Sequence, residues 1–330
     1  MEKISVIVPV RNGEAWIQEC LNSIQNQTWT NLEVLVVDNG SVDNTAMIVE
    51  EIGKKDSRIR LHRQKDQGVS AGRNQGIEGT DGEFVTFVDA DDKIEERMLE
   101  KLAEILKKEK SDIAICDYIR WNGEKKTLNA ADELLDNKEN AKSLKTVDVN
   151  TYVYDYLLRG YTRCWSILYR REAIGKVRFR KELTIGEDMM FLMDLLKNLK
   201  QISITSYQGY YYRINPSGAM LRPFTPSYMD EIKAWKMASK IIGAKYPGQK
   251  ARVSSILAVS AILVAGKLSR LSADKRREYD SYVKECRETV KAALKVPGAK
   301  KELPSGYGIK TTLFRIWPEG YLQLYHIWKK

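Results

Sequence analysis

Short apolar runs alternate with amphipathic stretches over the first 120 residues, and that rhythm predicts the fold class. Ile4-Ser5-Val6-Ile7-Val8-Pro9 reads as a strand that stops at the proline, after which Ile17, Cys20, Leu21 and Ile24 recur at helical spacing. Val34-Leu35-Val36-Val37 is apolar without interruption, the pattern of a parallel strand buried on both faces. A helix from about Thr45 to Ile52 follows, capped by Asp43 or Asn44, then an edge strand at Arg58–His62, a helix at Ser70–Ile77 and a strand at Phe84–Val88. Met98, Leu99, Leu102, Ile105 and Leu106 line one side of another helix, and Ile113–Cys116 is the next strand. Strand and helix in alternation predict a doubly wound α/β sheet.

Further along, the rhythm changes. Residues 122–150 are rich in Asn, Lys, Asp and Glu with only scattered Leu, and they suit a surface excursion or a poorly ordered loop. A less regular section runs from about Thr151 to Pro223. Beyond it the pattern is helical, over Met229–Ile242, Ser254–Leu271 and Lys275–Leu294. The longest strongly apolar run, Ile256–Gly266, falls short of the ~20 residues a bilayer crossing needs and reads as a buried helix.

Charge divides the chain in a similar place. The net charge is +10, yet Asp230–Lys330 alone holds 21 Lys/Arg against 9 Asp/Glu, or +12, leaving the rest near −2. Basic clusters favour polyanions, either nucleic acid or an anionic membrane surface. The stretch Arg315–Lys330 mixes aromatics with terminal lysines, which suits interfacial membrane contact or packing against the preceding domain. No recognised nucleic-acid motif appears, so nucleic acid is not an expected partner. Four scattered cysteines without a CxxC pair, and two histidines far from them, predict reduced thiols and no structural zinc. The first residues lack the longer apolar core and cleavage site of a secretory signal. The expected location is therefore the cytoplasm, with the inner face of the plasma membrane as the place where the basic region would act.

Candidate chemistry lies where the early strands end. Sheets of this class bind ligands beyond the carboxyl ends of their strands, near the switch point. Three polar clusters fall there: Pro9-Val10-Arg11-Asn12, Asp38-Asn39-Gly40-Ser41 and Asp89-Ala90-Asp91-Asp92. Residues two apart in a strand point the same way, so Asp89 and Asp91 can present paired oxygens to a hard divalent cation. A solvated turn or a helix cap reads the acids equally well, and Asp92 suits the cap. Neither GxGxxG nor GxxxxGK[ST] is present, which argues against a dinucleotide dehydrogenase and a P-loop NTPase.

These clusters resemble the family 2 glycosyltransferases, inverting enzymes with the nucleotide-sugar fold called GT-A. Ser5–Asn12 is similar to the family's opening strand. Asp38-Asn39-Gly40-Ser41-Val42-Asp43-Asn44-Thr45 is similar to its Asp-Asp-Gly-Ser-x-Asp-x-Thr pattern, with Asn in the second place. Gln67–Gly76 resembles its Gly-x-x-x-Ala-Arg-Asn-x-Gly helix start with Gly72 where Ala is usual, and Asp89-Ala90-Asp91 its metal-binding Asp-x-Asp. Cys164–Arg171, Gly186-Glu187-Asp188 and Tyr211–Ser217 resemble the acceptor-side half. The likeness spans residues 3–222, in order.

The resemblance implies a GT-A-type doubly wound mixed sheet flanked by helices, with a C-terminal helical extension. It implies a glycosyltransferase domain over 1–222, with a nucleotide half over about 1–118 and an acceptor half over about 151–222, followed by a basic helical region over 223–330. Pro9, Arg11, Asp38, Arg73, Asp89, Ala90, Asp91, Arg213 and Ser217 become candidates for donor binding, with Asp38 on the uracil of a UDP-sugar. Asp91 and Asp89 become candidates for holding Mn²⁺ or Mg²⁺. Asp188, with Glu187 beside it, becomes the candidate base toward a carbohydrate or lipid-linked glycan acceptor. Each residue has a plainer reading: Asp38 as a turn former, Arg73 as a surface ion pair, Asp188 as the start of a helix whose dipole favours acids. Trp165 and Tyr211-Tyr212 could stack on a sugar or pack in the core. A nucleotidyltransferase, or a non-catalytic carbohydrate- or membrane-binding protein on the same scaffold, are the competing classes.

Overall fold

The computed structural model describes residues 1–122, 143–215 and 222–328. The chain divides into two compact units: Met1–Tyr152 with Arg163–Lys181 and Asp194–Gly218, and Val153–Thr162 with Glu182–Met193 and Ala219–Lys330. The stretches 153–162 and 182–193 belong with the C-terminal helices, and Glu187 and Asp188 go with them.

The first unit is built on a nine-stranded mixed sheet: β1 Ile4–Val10, β2 Leu32–Asn39, β3 Ile59–Gln64, β4 Phe84–Phe87, β5 Lys93–Ile94, β6 Ile113–Trp121, β7 Leu144–Asp148, β8 Ile167–Arg170 and β9 Gln201–Arg213. The order is β3-β2-β1-β4-β8-β6-β9-β5, with β7 pairing the other end of the same edge of β9. Strands β3, β2, β1 and β4 run parallel, whereas β8 is antiparallel to both β4 and β6. Strand β7 corrects the expectation of an unstructured excursion up to residue 150, because Leu144–Asp148 pairs with Gln201–Thr205. Strand β1 also runs past Pro9. Strand β4 pairs only with Ile4–Ile7, so at Pro9 the register shows β2 alone, and a residue without an N–H is tolerated there.

Side chains alternate across β1, and each face meets its own helices. Ile4, Val6, Val8 and Val10 join one core with helices α1 (Ile17–Gln25), α2 (Thr45–Lys55) and α4 (Met98–Glu109). Ile7 faces the other way, toward α3 (Val69–Glu78). Gly76 allows that helix to lie close, because a Cβ there would sit 2.1 Å from Ile7 Cγ2. Helices on both faces of a largely parallel half-sheet are what the alternating pattern predicted.

The connecting helices are α5 Val149–Asp155, α6 Arg171–Ile174 and α7 Glu187–Leu195. The second unit adds α8 Met229–Lys245, α9 Lys250–Leu268, α10 Ala273–Arg277, α11 Asp280–Ala293, α12 Tyr307–Ile316 and α13 Pro318–Trp328. Its core gathers Ile232, Ala258, Ile262, Val264, Leu268, Val283, Val290, Phe314, Tyr321 and Leu322. The stretch Pro247–Leu268 is long and apolar enough to cross a membrane by length and composition, but 61% of its apolar window is buried inside the protein. It is the central helix of this unit, as its sequence suggested. All four cysteines are buried and free.

Candidate active site

The register lines up the polar clusters. Val10 stands beside Asp38, and Asp38 beside Arg63, while Ile7 stands beside Phe87, two residues before Asp89. Asp38, Asp89 and the Pro9–Asn12 segment therefore occupy one edge of the sheet, at the carboxyl ends of neighbouring parallel strands. Pro9 is a buried strand residue, and exposed Arg11 pairs with Asp66 at 2.5 Å.

Loops at this edge are cross-braced by side chains. Asn12, at φ +52°, donates its N–H to Ser41 Oγ at 2.9 Å, and its Oδ1 accepts from Val42 N at 2.9 Å. Gly13 N–H reaches Thr45 Oγ1 at 2.8 Å, and Glu14 Oε2 accepts from the backbone N and the side-chain Nδ2 of Asn44. Asn39, where the family pattern has Asp, accepts from Gln64 Nε2 and Gln67 N and donates to Asp66 Oδ1. An amide can do both, so Asn here ties the β2 loop to the β3–α3 loop. Gly40 must be glycine: its φ is +81°, and a Cβ would lie 2.9 Å from Asp66 N.

Asp38 is buried, and its Oδ1 accepts from Ser41 N at 2.9 Å, which is the turn-forming role. Its other oxygen faces Arg63 Nε at 3.7 Å. Arg73 is buried too, with Nη2 donating to Asp89 Oδ1 at 2.9 Å and its guanidinium 5.2 Å from the Phe179 ring centre. The arginine on α3 and the first acid of the triplet thus form one unit rather than a surface pair.

The three acids have three different environments. Asp91 Oδ2 accepts from Asn215 Nδ2 at 3.0 Å, and its carbonyl accepts from Arg213 Nε at 2.7 Å. Ala90 is half-buried between Asp89 and Asp91. Asp92 is buried and accepts from Tyr210 Oη at 2.8 Å and Arg213 N at 2.7 Å. It caps no helix: α4 begins at Met98 after Arg97. Burial, reinforced by Asp89 and Asp91, pushes the Asp92 carboxyl well above the usual range. Tyr210 Oη also accepts the Asp89 N–H at 3.1 Å, so one buried phenol from β9 holds both ends of the acidic turn.

Arg213, a candidate for donor binding, is buried. Its guanidinium carbon lies 4.4 Å and 4.2 Å from the ring centres of Trp16 and Trp121, and its Nη2 bonds Glu19. It clamps the acidic turn to β9 from inside. Trp165 is likewise core, buried and stacked on Tyr210 and Tyr212 with ring centres 4.6 Å and 5.2 Å away. Ser217 lies outside the described residues. In the second unit, Glu187 and Asp188 open α7, after Gly186 at φ +84°. A Cβ on Gly186 would stand 2.7 Å from Ala234 Cβ, so the turn rests directly on α8.

Sequence reasoning passed over Asn215, Tyr210 and Glu19. The run Tyr210–Asn215 held the signal, since a strand that pairs with β5 at Lys93 and Ile94 must bring its end beside the acids.

The donor set is suited to a hard cation. Asp89 and Asp91 offer carboxylate oxygens from one short turn. Among the described residues no group of three or more His, Cys, Asp or Glu side chains forms a metal cage. Two carboxylates suit an ion of the Mg²⁺ type, which takes one or two carboxylates and completes its shell with substrate phosphates.

Acids, a buried arginine and a buried aspartate stand together at the carboxyl edge of the sheet, where sheets of this class bind ligands. The family profile described as glycosyl transferase family 2 matches residues 5–178. The chain belongs to that family and is a glycosyltransferase. It is 30% identical over 244 residues to a Bacillus subtilis protein named as the uncharacterized glycosyltransferase EpsJ, a match covering 72% of this chain and 68% of the relative. A second B. subtilis relative, the putative glycosyltransferase EpsH, is 33% identical, and the match spans 63% of its length. Among solved structures, S. aureus TarS 1–349 in complex with UDP-GlcNAc superposes with a TM-score of 0.70 at 21% identity, over 98% of this chain and 90% of that one. These likenesses confirm the GT-A-type mixed sheet with C-terminal helices.

Proposed function

We propose that the protein transfers a sugar with inversion from a UDP-sugar to a hydroxyl of a carbohydrate or lipid-linked glycan, in the making of a surface polysaccharide or glycoconjugate. The observation that carries this reading is the placement of buried Asp38 and the Arg73–Asp89 pair at the ends of β2 and β4, the two strands that flank β1. Asp38 offers an acceptor for the uracil N3–H, with Arg63 poised beside it as a donor for a neighbouring carbonyl. The UDP assignment is supported by the TarS complex, the structural neighbour quoted above. A divalent cation, Mn²⁺ or Mg²⁺, held by Asp91 and Asp89 would supply Lewis-acid neutralisation of the leaving diphosphate. A second structural neighbour, the mannosyltransferase PcManGT of Pyrobaculum calidifontis, is in complex with GDP-Man and Mn²⁺; it superposes with a TM-score of 0.51 at 15% identity, over 97% of this chain and 88% of that one.

Asp188 acts as the general base. The acceptor oxygen bonds to the anomeric carbon as the bond from that carbon to the β-phosphate oxygen breaks. The hydroxyl proton passes to Asp188, and the electron pair leaves with UDP. Gly186 makes the base's position a property of packing, because the turn before it admits no side chain against Ala234.

The test is a UDP-release assay across a panel of UDP-sugars, with and without oligosaccharide acceptors. The wild type should release UDP slowly by hydrolysis and faster with the right acceptor. Asp188→Asn should keep UDP affinity and lose roughly 10²–10⁴ in turnover, the usual scale of a general base. Release of inorganic diphosphate instead would mark nucleotidyl transfer, and an Asp188→Asn enzyme with near wild-type turnover would place the base elsewhere.

A further inference from the structure

The last two helices carry a face that their own packing leaves bare. Thr311, Phe314, Tyr321 and Leu322 turn inward and are buried. Ile309 is 77% exposed, Ile316 72%, Trp317 56%, Leu324 42% and Ile327 66%. Eleven large apolar side chains of the described residues are exposed, and five of them fall within these 19 positions, which is too concentrated for ordinary surface scatter. Ile309 and Ile316 are seven apart on α12 and share one stripe of it. Trp317 stands at the corner before α13. Gly320 lets the indole lie flat on that helix, since a Cβ there would be 2.2 Å from the ring.

Charge identifies the partner. Lys310 and Arg315 alternate with the apolar residues, and Arg287 reaches the Arg315 carbonyl at 2.8 Å. Glu319 is the one acid between 303 and 328. The surrounding hundred residues carry 21 Lys/Arg against 9 Asp/Glu, so two copies of this face would repel each other. An apolar ridge with a Trp, set among cations, matches the layering of acyl chains beneath anionic headgroups.

We propose that the outer face of α12 and α13 seats this unit on an anionic lipid bilayer. Ile309, Ile316, Trp317, Leu324 and Ile327 enter the headgroup boundary, and the basic residues lie over lipid phosphates.

The test is co-sedimentation of the full chain with vesicles of phosphatidylcholine alone, or of phosphatidylcholine and phosphatidylglycerol in equal parts. Binding should require phosphatidylglycerol and weaken about tenfold between low and high salt, as screened charge does. The triple variant Ile309→Ser, Ile316→Ser, Trp317→Ser should lose about tenfold or more in vesicle binding. Its circular dichroism and its UDP release without vesicles should be unchanged, because the replaced side chains are mostly in solvent. Equal vesicle binding by variant and wild type would overturn the proposal, even if that binding were salt-sensitive. So would absent vesicle binding together with a dimer in sizing experiments that the triple variant disperses, which would make a second copy the occupant.

Discussion

The donor edge of the sheet and the C-terminal helical unit are held together by opposite means. At the edge, Asn12, Asn39, Asp43, Thr45, Tyr210 and Arg213 fix the loops through side-chain hydrogen bonds that cross from one strand end to another. In the helical unit, Ala258, Ile262, Val264, Leu268, Val290, Phe314 and Leu322 meet through apolar contact. A hydrogen bond has a direction and a length, so a braced loop can hold a carboxylate to a few tenths of an ångström. Apolar packing tolerates exchange of similar volumes and places a helix less finely. The region proposed to hold the nucleotide is therefore polar and cross-linked. Among its apolar side chains the helical unit also keeps a carboxylate, Glu231, whose Oε1 accepts from Trp235 Nε1 at 2.8 Å and Ser260 Oγ at 3.3 Å.

The sharpest way to break this contrast is at Asp91. Asp91→Asn keeps the shape and the Asn215 contact but removes the charge. UDP binding by calorimetry in Mn²⁺ should weaken about a hundredfold, a loss of about 3 kcal/mol, while the unfolding midpoint holds. Tight Mn²⁺-dependent binding by the variant would end the metal assignment.

Next in size is the clamp. Arg213→Met removes a charged hydrogen bond to the Asp91 carbonyl and a guanidinium stacked on two indoles. Denaturant unfolding should show a loss of about 2–4 kcal/mol, and UDP affinity should fall with it because the acidic turn is freed. If stability dropped while UDP affinity stayed at the wild-type value, the clamp would have no part in placing Asp91.

The smallest effect belongs to the helical unit and should run the other way. Burial holds the Glu231 carboxyl above its ordinary range. The native protein then keeps a proton that the unfolded chain releases. The cost of burial is absent below the ordinary Glu range and grows as pH rises through the raised folded value. Glu231→Gln keeps an acceptor for Trp235 and cannot ionise. The melting temperature of the variant, less that of the wild type, should increase from acid to neutral pH. A difference flat with pH would show that the carboxylate is not strained.

Much of the donor edge was legible in the chain itself. Strand ends are marked where apolar runs break into polar ones, and Asp38, Asp89 and Asp91 stand at such breaks because parallel strands must bury both faces until they end. The helical second half was legible from apolar spacing for the same reason. Residues 144–148 were not: Leu144-Lys145-Thr146-Val147-Asp148 is a strand only because β9 offers it an edge, and a sequence of mixed polarity carries no sign of its partner.

What the sequence determined by itself is periodicity and chemistry: which segments bury a face, and which ionisable groups follow them. Roles that depend on neighbours distant along the chain were decided by tertiary structure alone. Arg213 has the chemistry of a phosphate ligand, yet Trp16, Glu19 and Trp121, from two other parts of the chain, make it a buried clamp. Asp92 has the chemistry of a helix cap, yet Tyr210 and the Arg213 N–H, about 120 residues away, make it a brace. A charged side chain takes its function from the dielectric and the partners around it, and those are set only when strands far apart in sequence come to lie side by side.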